Sequence, residues 1–225
     1  MLLAEPAVAV RGVFRRFGYR WVLRDITMDV APGEAVLLVG GNGAGKTTLL
    51  RVVSGLLRPS KGEVSLGGTV GMVAHHTMMY DALTAHENLT FFARLHGLKI
   101  RARIGELLER MGLAHVADER IGTYSRGMLQ RLAIARALMP EPRVLLLDEP
   151  LTGLDDAASR TVIDVLNALE EQGVAMLIAT HQLVELVGTA ARVGYMVNGK
   201  LAALEQCGGD AGQVVGRYRE LVAGG

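Results

Sequence analysis

Gly40-Gly41-Asn42-Gly43-Ala44-Gly45-Lys46-Thr47 decides the fold, because of what flanks it. Ala35–Val39 before it is an apolar run of strand length, and Thr47–Ser54 after it reads as a helix. The octet fits G-x-x-x-x-G-K-[ST], a phosphate loop. Glycines let backbone N–H groups wrap phosphate oxygens, and the helix N-terminus adds positive potential. Lys46 is placed for β- and γ-phosphates, and Thr47 offers a hydroxyl to Mg²⁺. Thr48 extends this cradle into the helix. A glycine-rich turn with an incidental lysine would require neither flank.

A second buried strand, Val144–Leu147, delivers Asp148 and Glu149 at its C-terminal end. Open α/β sheets bind ligands at that end. Adjacent acids can divide the work, so Asp148 is assigned to the metal and Glu149 to the attacking water. Two acids can equally be a solvated strand end. Their company with a phosphate loop argues against that reading.

Outward from these motifs, Ile26, Met28 and Val30 alternate with polar residues as in a half-buried strand. Ala85–Leu95 and Ile104–Met111 read as helices, with few strand signals before Val144. The stretch from about 76 to 140 therefore looks like a helical insertion. Leu129, Leu132, Ala133 and Ala137 give a helix beginning near Ser125 an apolar face, as Val162, Val165, Leu166 and Leu169 do before Gly173. Val174–Ala179 is a further buried strand ending at Thr180-His181, and Val193–Ala203 reads as a hairpin about Asn198-Gly199.

Composition narrows the classes. The chain has 225 residues, 50% of them hydrophobic, enough for one domain with a substantial core. A net charge of +1 gives no electrostatic case for nucleic acid. One cysteine, Cys207, excludes an internal disulfide and fits a reducing compartment. Met1–Val10 lacks the positive start of a signal peptide, and no apolar run approaches a membrane span. Any membrane role is expected to come through a partner.

Tyr124-Ser125-Arg126-Gly127-Met128-Leu129-Gln130-Arg131 precedes the Asp-Glu strand, and Thr152-Gly153-Leu154-Asp155 and Thr180-His181 follow it. With the phosphate loop, this series resembles the ATP-binding domain of ABC transporters over nearly the whole chain. The resemblance implies an α/β fold: a RecA-like P-loop NTPase core, an antiparallel β subdomain and an inserted α-helical signature subdomain, in a single domain over 1–225. It implies a head-to-tail homodimer in which Ser125 and Gly127 of one copy meet the γ-phosphate of ATP held by the other. Asp155 would lie at the seam, and His181 would sense the γ-phosphate and position the water. Phe17 matches the aromatic that stacks on adenine, with Tyr19 and Trp21 as rivals. Catalysis would thus rest on Lys46, Glu149 and His181, with Thr47 and Asp148 holding Mg²⁺.

Departures from that pattern are Arg126 for the first signature glycine, Met128 for the usual glutamine, and Gly41 for the commoner proline. Ala74-His75-His76-Thr77 stands where most ABC domains carry a glutamine that touches Mg²⁺ and links the site to the transmembrane subunit. His75 aligns with it without a gap, and His76 is adjacent. Gly71–Thr77 with Leu83–Leu89 is similar to the haem-exporter ATP-binding subunits of cytochrome c maturation, the CcmA family. That implies a membrane permease partner, CcmB- or CcmC-like, at the cytoplasmic face of the inner membrane. Motors of drug, lipid or polysaccharide exporters are the alternative, and a soluble ABC ATPase acting on DNA or ribosomes is a second. Met78, Met79, Tyr80, Phe91 and Phe92 suit a groove for a permease helix, or simply the core of the insertion.

Overall fold

The computed structural model describes residues 5–74, 79–98 and 101–224, with 101 and 102 described by backbone alone. In chain order, β1 (Val8–Phe17) and β2 (Arg20–Val30) lead to β3 (Ala35–Val39), the phosphate loop and α1 (Lys46–Val53). β4 (Lys61–Leu66) and β5 (Val70–Val73) come next. The helices α2 (Ala85–Leu95), α3 (Arg101–Arg110) and α4 (Arg126–Leu138) precede β6 (Val144–Asp148). Then come α5 (Asp156–Glu171), β7 (Ala175–Ala179), the short α6 (Leu183–Leu186), β8 (Arg192–Val197), β9 (Lys200–Gln206) and α7 (Ala211–Ala223).

These strands make two sheets. One is antiparallel with order β2-β1-β4; the other has order β5-β6-β7-β3-β8-β9 and is parallel except for β9. The central strands are buried on both faces, which is why they read as unbroken apolar runs. The two-residue period of a strand sends alternate side chains to opposite faces. Val36 and Leu38 join Val144, Leu146 and Leu177 in a core shared with β1, β2 and α1. Leu37, Val39, Leu145, Leu147 and Ile178 face the helices instead.

That topology positions the site. β6, β7 and β3 are neighbours in the sheet and all run the same way. Their C-terminal ends therefore emerge side by side, about 5 Å apart per strand, carrying Asp148-Glu149, Thr180-His181 and the phosphate loop.

The P-loop core, the antiparallel sheet and the helical insertion match the expected architecture. β4 and β5 lie ahead of the insertion, in a stretch for which the sequence offers no strand signal. β4 is an edge strand with five of its six residues exposed, so it lacks alternation. β5 has four residues, too few to show a period. β1 is longer than its pattern suggests, because register shifts between Val10 and Val13 and again at Arg15 break the alternation. The α3 helix begins at Arg101, three residues before the buried Ile104 with which the sequence reading starts it.

The insertion is anchored by a local device. Thr84 caps α2 by accepting from Glu87 N at 3.1 Å, while Thr84 N donates to Glu87 Oε2 at 2.9 Å. One turn on, Asn88 is fully buried. Its Oδ1 accepts from Tyr80 N at 2.9 Å, and its Nδ2 donates to the carbonyls of Tyr80 at 3.1 Å and Thr84 at 2.9 Å. Removing the amide strands buried backbone groups, each loss costing about 1–3 kcal/mol. Asn88→Ala is expected to destabilise the fold by about 3 kcal/mol in a urea titration, with the m-value unchanged.

Candidate active site

The phosphate loop is built from the end of β3 to the start of α1. Gly45 caps α1 at φ 107°, a conformation closed to other residues, and a Cβ there would lie 2.8 Å from Leu23 Cδ2. Asn42, Gly43, Ala44, Gly45, Lys46, Thr47 and Thr48 line an open cleft of about 530 Å³, with Gly41 at its edge. Gly40 precedes the lining residues, and its carbonyl accepts from Lys46 Nζ.

Lys46 Nζ donates to Gly40 O at 2.6 Å and lies 3.4 Å from Gly41 O. Burial pushes its pKa down, and the charges of Glu149 and Asp148 oppose that shift. Thr47 Oγ1 donates to Asp148 Oδ1 at 3.1 Å, although the two come from opposite halves of the chain. Asp148 is almost wholly buried. A hydroxyl and a carboxylate at contact distance are hard oxygen donors at the mouth of a phosphate cradle. That set fits Mg²⁺, which is held by one or two protein oxygens and completed by phosphates and water. Among the described residues, no group of three or more His, Cys, Asp or Glu offers an all-protein cage.

Glu149 stands beside them in an unusual backbone state. Its φ is 56°, left-handed for a non-glycine residue, and its N–H donates to Ala179 O at 2.8 Å. His181 Nδ1 lies 2.8 Å from Glu149 Oε2, and the His181 backbone N–H donates to the same oxygen at 3.2 Å. Since a carboxylate accepts only, Nδ1 carries the hydrogen in this contact. Lys46, Thr47, Asp148, Glu149 and His181 therefore meet in one cleft, where they can bind phosphate, hold a cation and accept a proton from water.

Ser125, Gly127 and Asp155 do not line this cleft. Ser125 is the exposed N-cap of α4, accepting from Met128 N at 3.2 Å. Gly127 is buried, and a Cβ there would meet Gly153 O and Leu154 Cδ2 at 3.2 Å. Asp155 caps α5 through Ala158 N at 2.8 Å. Phe17 is half-exposed at the end of β1, outside the cleft lining, with the Arg15 guanidinium 4.7 Å from its ring centre. Tyr19 is fully exposed, and Trp21 packs edge-on against Phe14 at 5.8 Å. His75 and His76 lie outside the described residues.

Sequence reading missed Gln130. Its amide donates from α4 to Glu149 O at 3.3 Å and to Pro150 O at 3.1 Å, binding the signature helix to the acidic strand end. The available signal was a polar residue on the otherwise apolar buried face of α4. Arg51, to which the sequence gives no role, also lines the cleft, as does Thr152 of the Thr152–Asp155 motif.

The family model described as ABC transporter matches residues 23–152, more than half of the chain and the whole span from β2 to the end of the acidic motif. The chain belongs to the ABC transporter family. It is an ABC-type ATPase by that membership. The uncharacterised ABC transporter ATP-binding protein YdbJ of Bacillus subtilis is 38% identical over 214 residues, covering 89% of this chain and 70% of that protein. The daunorubicin resistance ATP-binding protein DrrA3 of Streptomyces coeruleorubidus is 37% identical over 216 residues, covering 89% of this chain and 68% of that protein. Among solved structures, an ATP-binding cassette in a dimeric, post-hydrolysis state bound to ADP and Pi superposes with a TM-score of 0.81 at 25% identity. That match covers 89% of this chain and 98% of the other.

Proposed function

We propose that this ABC ATPase energises a membrane exporter of the drug-resistance type. The similarity to DrrA3, spanning 89% of the chain, carries this reading. Haem export rests on the resemblance of Gly71–Thr77 and Leu83–Leu89 alone. The drug-resistance reading is therefore preferred. Among the described residues no helix is long and apolar enough to cross a membrane, so the transport path belongs to a permease partner.

In this reading two copies associate head to tail. Ser125 stands exposed at the N-terminus of α4, outside the lining of its own cleft, with Gly127 two residues on, and this helix start would close on the γ-phosphate of a second copy. Lys46 and the loop amides hold the β- and γ-phosphates. Thr47 and Asp148 hold Mg²⁺, which when bound neutralises phosphate charge. Glu149 polarises the attacking water, and His181 orients Glu149 through its Nδ1–H. Phe17 stacks on adenine outside the phosphate cleft, and Asp155 faces the seam between copies. The permease would dock on the aromatic patch of the insertion. There Tyr80 and Phe91 are exposed with ring centres 5.0 Å apart, and Phe92 lies 5.4 Å from Phe91.

The test is to purify the chain with its membrane partner in lipid vesicles and measure ATP turnover against added cargo. Stimulation by an anthracycline and not by haem supports the proposal. Stimulation by haem alone, with haem bound to the co-purified permease, would restore the cytochrome c reading.

A further inference from the structure

The departure at Gly41 has a structural counterpart far along the chain. Gly41 N–H donates to the Tyr218 hydroxyl of α7 at 2.7 Å, across a separation of 177 residues. Proline, the commoner residue at this place, has no N–H and could not make the bond. The same peptide unit presents Gly40 O to Lys46 Nζ at 2.6 Å. Because a peptide is planar and trans, its N–H and C=O point in opposite directions, so fixing one fixes the other. The next carbonyl, Gly41 O, accepts from Ala44 N at 3.1 Å and closes the first turn of the loop. Tyr218 thus holds the peptide that accepts from the lysine and directly precedes the one that closes the first turn.

The helix that supplies Tyr218 is itself fixed. Asp210 caps it by accepting from Gly212 N at 2.7 Å. Val214 is buried in the helix-side core, and Val215, Tyr218 and Leu221 pack against that core. Arg217, beside Tyr218, pairs with Glu205 of β9 at 2.8 Å and with Glu220 at 3.0 Å. The tyrosine ring is therefore anchored independently of the loop it touches. We infer that Tyr218 is a positioning residue for nucleotide binding, substituting through its hydroxyl for the rigidity a proline would give the entry of the phosphate loop.

The experiment is a double-substitution cycle on the full chain, read by calorimetric binding of MgADP and by steady-state ATP turnover. Tyr218→Phe is expected to raise the MgADP Kd about fivefold, with a parallel rise in KM and kcat kept within about twofold. On a Gly41→Pro background, which lacks the donor and whose Cβ would lie 3.1 Å from the Tyr218 hydroxyl, the same Tyr218→Phe change is expected either to leave Kd within about twofold or to tighten binding by relieving that contact. Parental affinity in Tyr218→Phe would overturn the inference. So would equal weakening in both backgrounds, which would assign the effect to the ring and not to the bond. An independent reading needs no variant: the Gly41 amide of the native protein should exchange slowly with solvent, and exchange at the free-loop rate would also overturn it.

Discussion

Glu149→Gln is expected to lower steady-state ATP turnover by about 10²- to 10³-fold while leaving MgATP affinity within about twofold. Glutamine keeps the length of the side chain and an oxygen that can still accept from His181 Nδ1, now 2.8 Å from the carboxylate. The contacts of Glu149 through its backbone also survive, since Gln130 and Ala179 address its carbonyl and N–H. What disappears is the ability to take a proton from water. Binding should therefore separate from turnover, and an ATP-bound dimer should accumulate in size-exclusion chromatography. Phosphate release at the parental rate would remove Glu149 from the chemistry.

Lys46→Met is expected to have two effects of different kind. Nucleotide affinity should fall by at least about 100-fold, because charge-assisted hydrogen bonds to phosphate are among the strongest a side chain makes. The nucleotide-free fold, by contrast, should melt no lower than the parent at pH 7. Burial disfavours the charged form of Lys46, so its folded pKa lies below its unfolded value. A lowered base pKa means that the unfolded chain binds more protons at alkaline pH, and stability rises as pH rises through that window. At neutral pH the desolvation penalty is present in full. Methionine removes it, and the alkaline rise should vanish with it in thermal melts between pH 7 and 11. Retained MgADP affinity in calorimetry, or a clearly lower neutral melting point, would contradict this account.

Much of this was legible because its signals are local. The phosphate loop carries its chemistry in eight consecutive residues, and Val144–Leu147 announces a buried strand by having no polar residue. The capping box Thr84–Glu87 sets the start of α2 at Ala85, where the sequence places it. Illegible features are those whose cause lies elsewhere in the chain. β4 is polar because it is an edge, which only the pairing with β1 reveals. Gln130 and Tyr218 look ordinary until folding brings them to Glu149 and Gly41. In the site, Lys46, Thr47, Asp148, Glu149 and His181 follow from strand ends. Phe17, Ser125 and Asp155 do not line the cleft, so their proposed roles depend on adenine or on a second copy.

The left-handed backbone of Glu149 bears on how this sequence can evolve. A non-glycine residue at φ 56° costs about 1–2 kcal/mol relative to a relaxed backbone. Asparagine tolerates that region far better than glutamate does. A laboratory selection for heat resistance alone would therefore find advantage in losing the acid, and the hardiest survivors would be inert. If Glu149 has the role proposed for it, demand for ATP turnover is what keeps a glutamate at this position, and heat resistance and transport would have to be selected together.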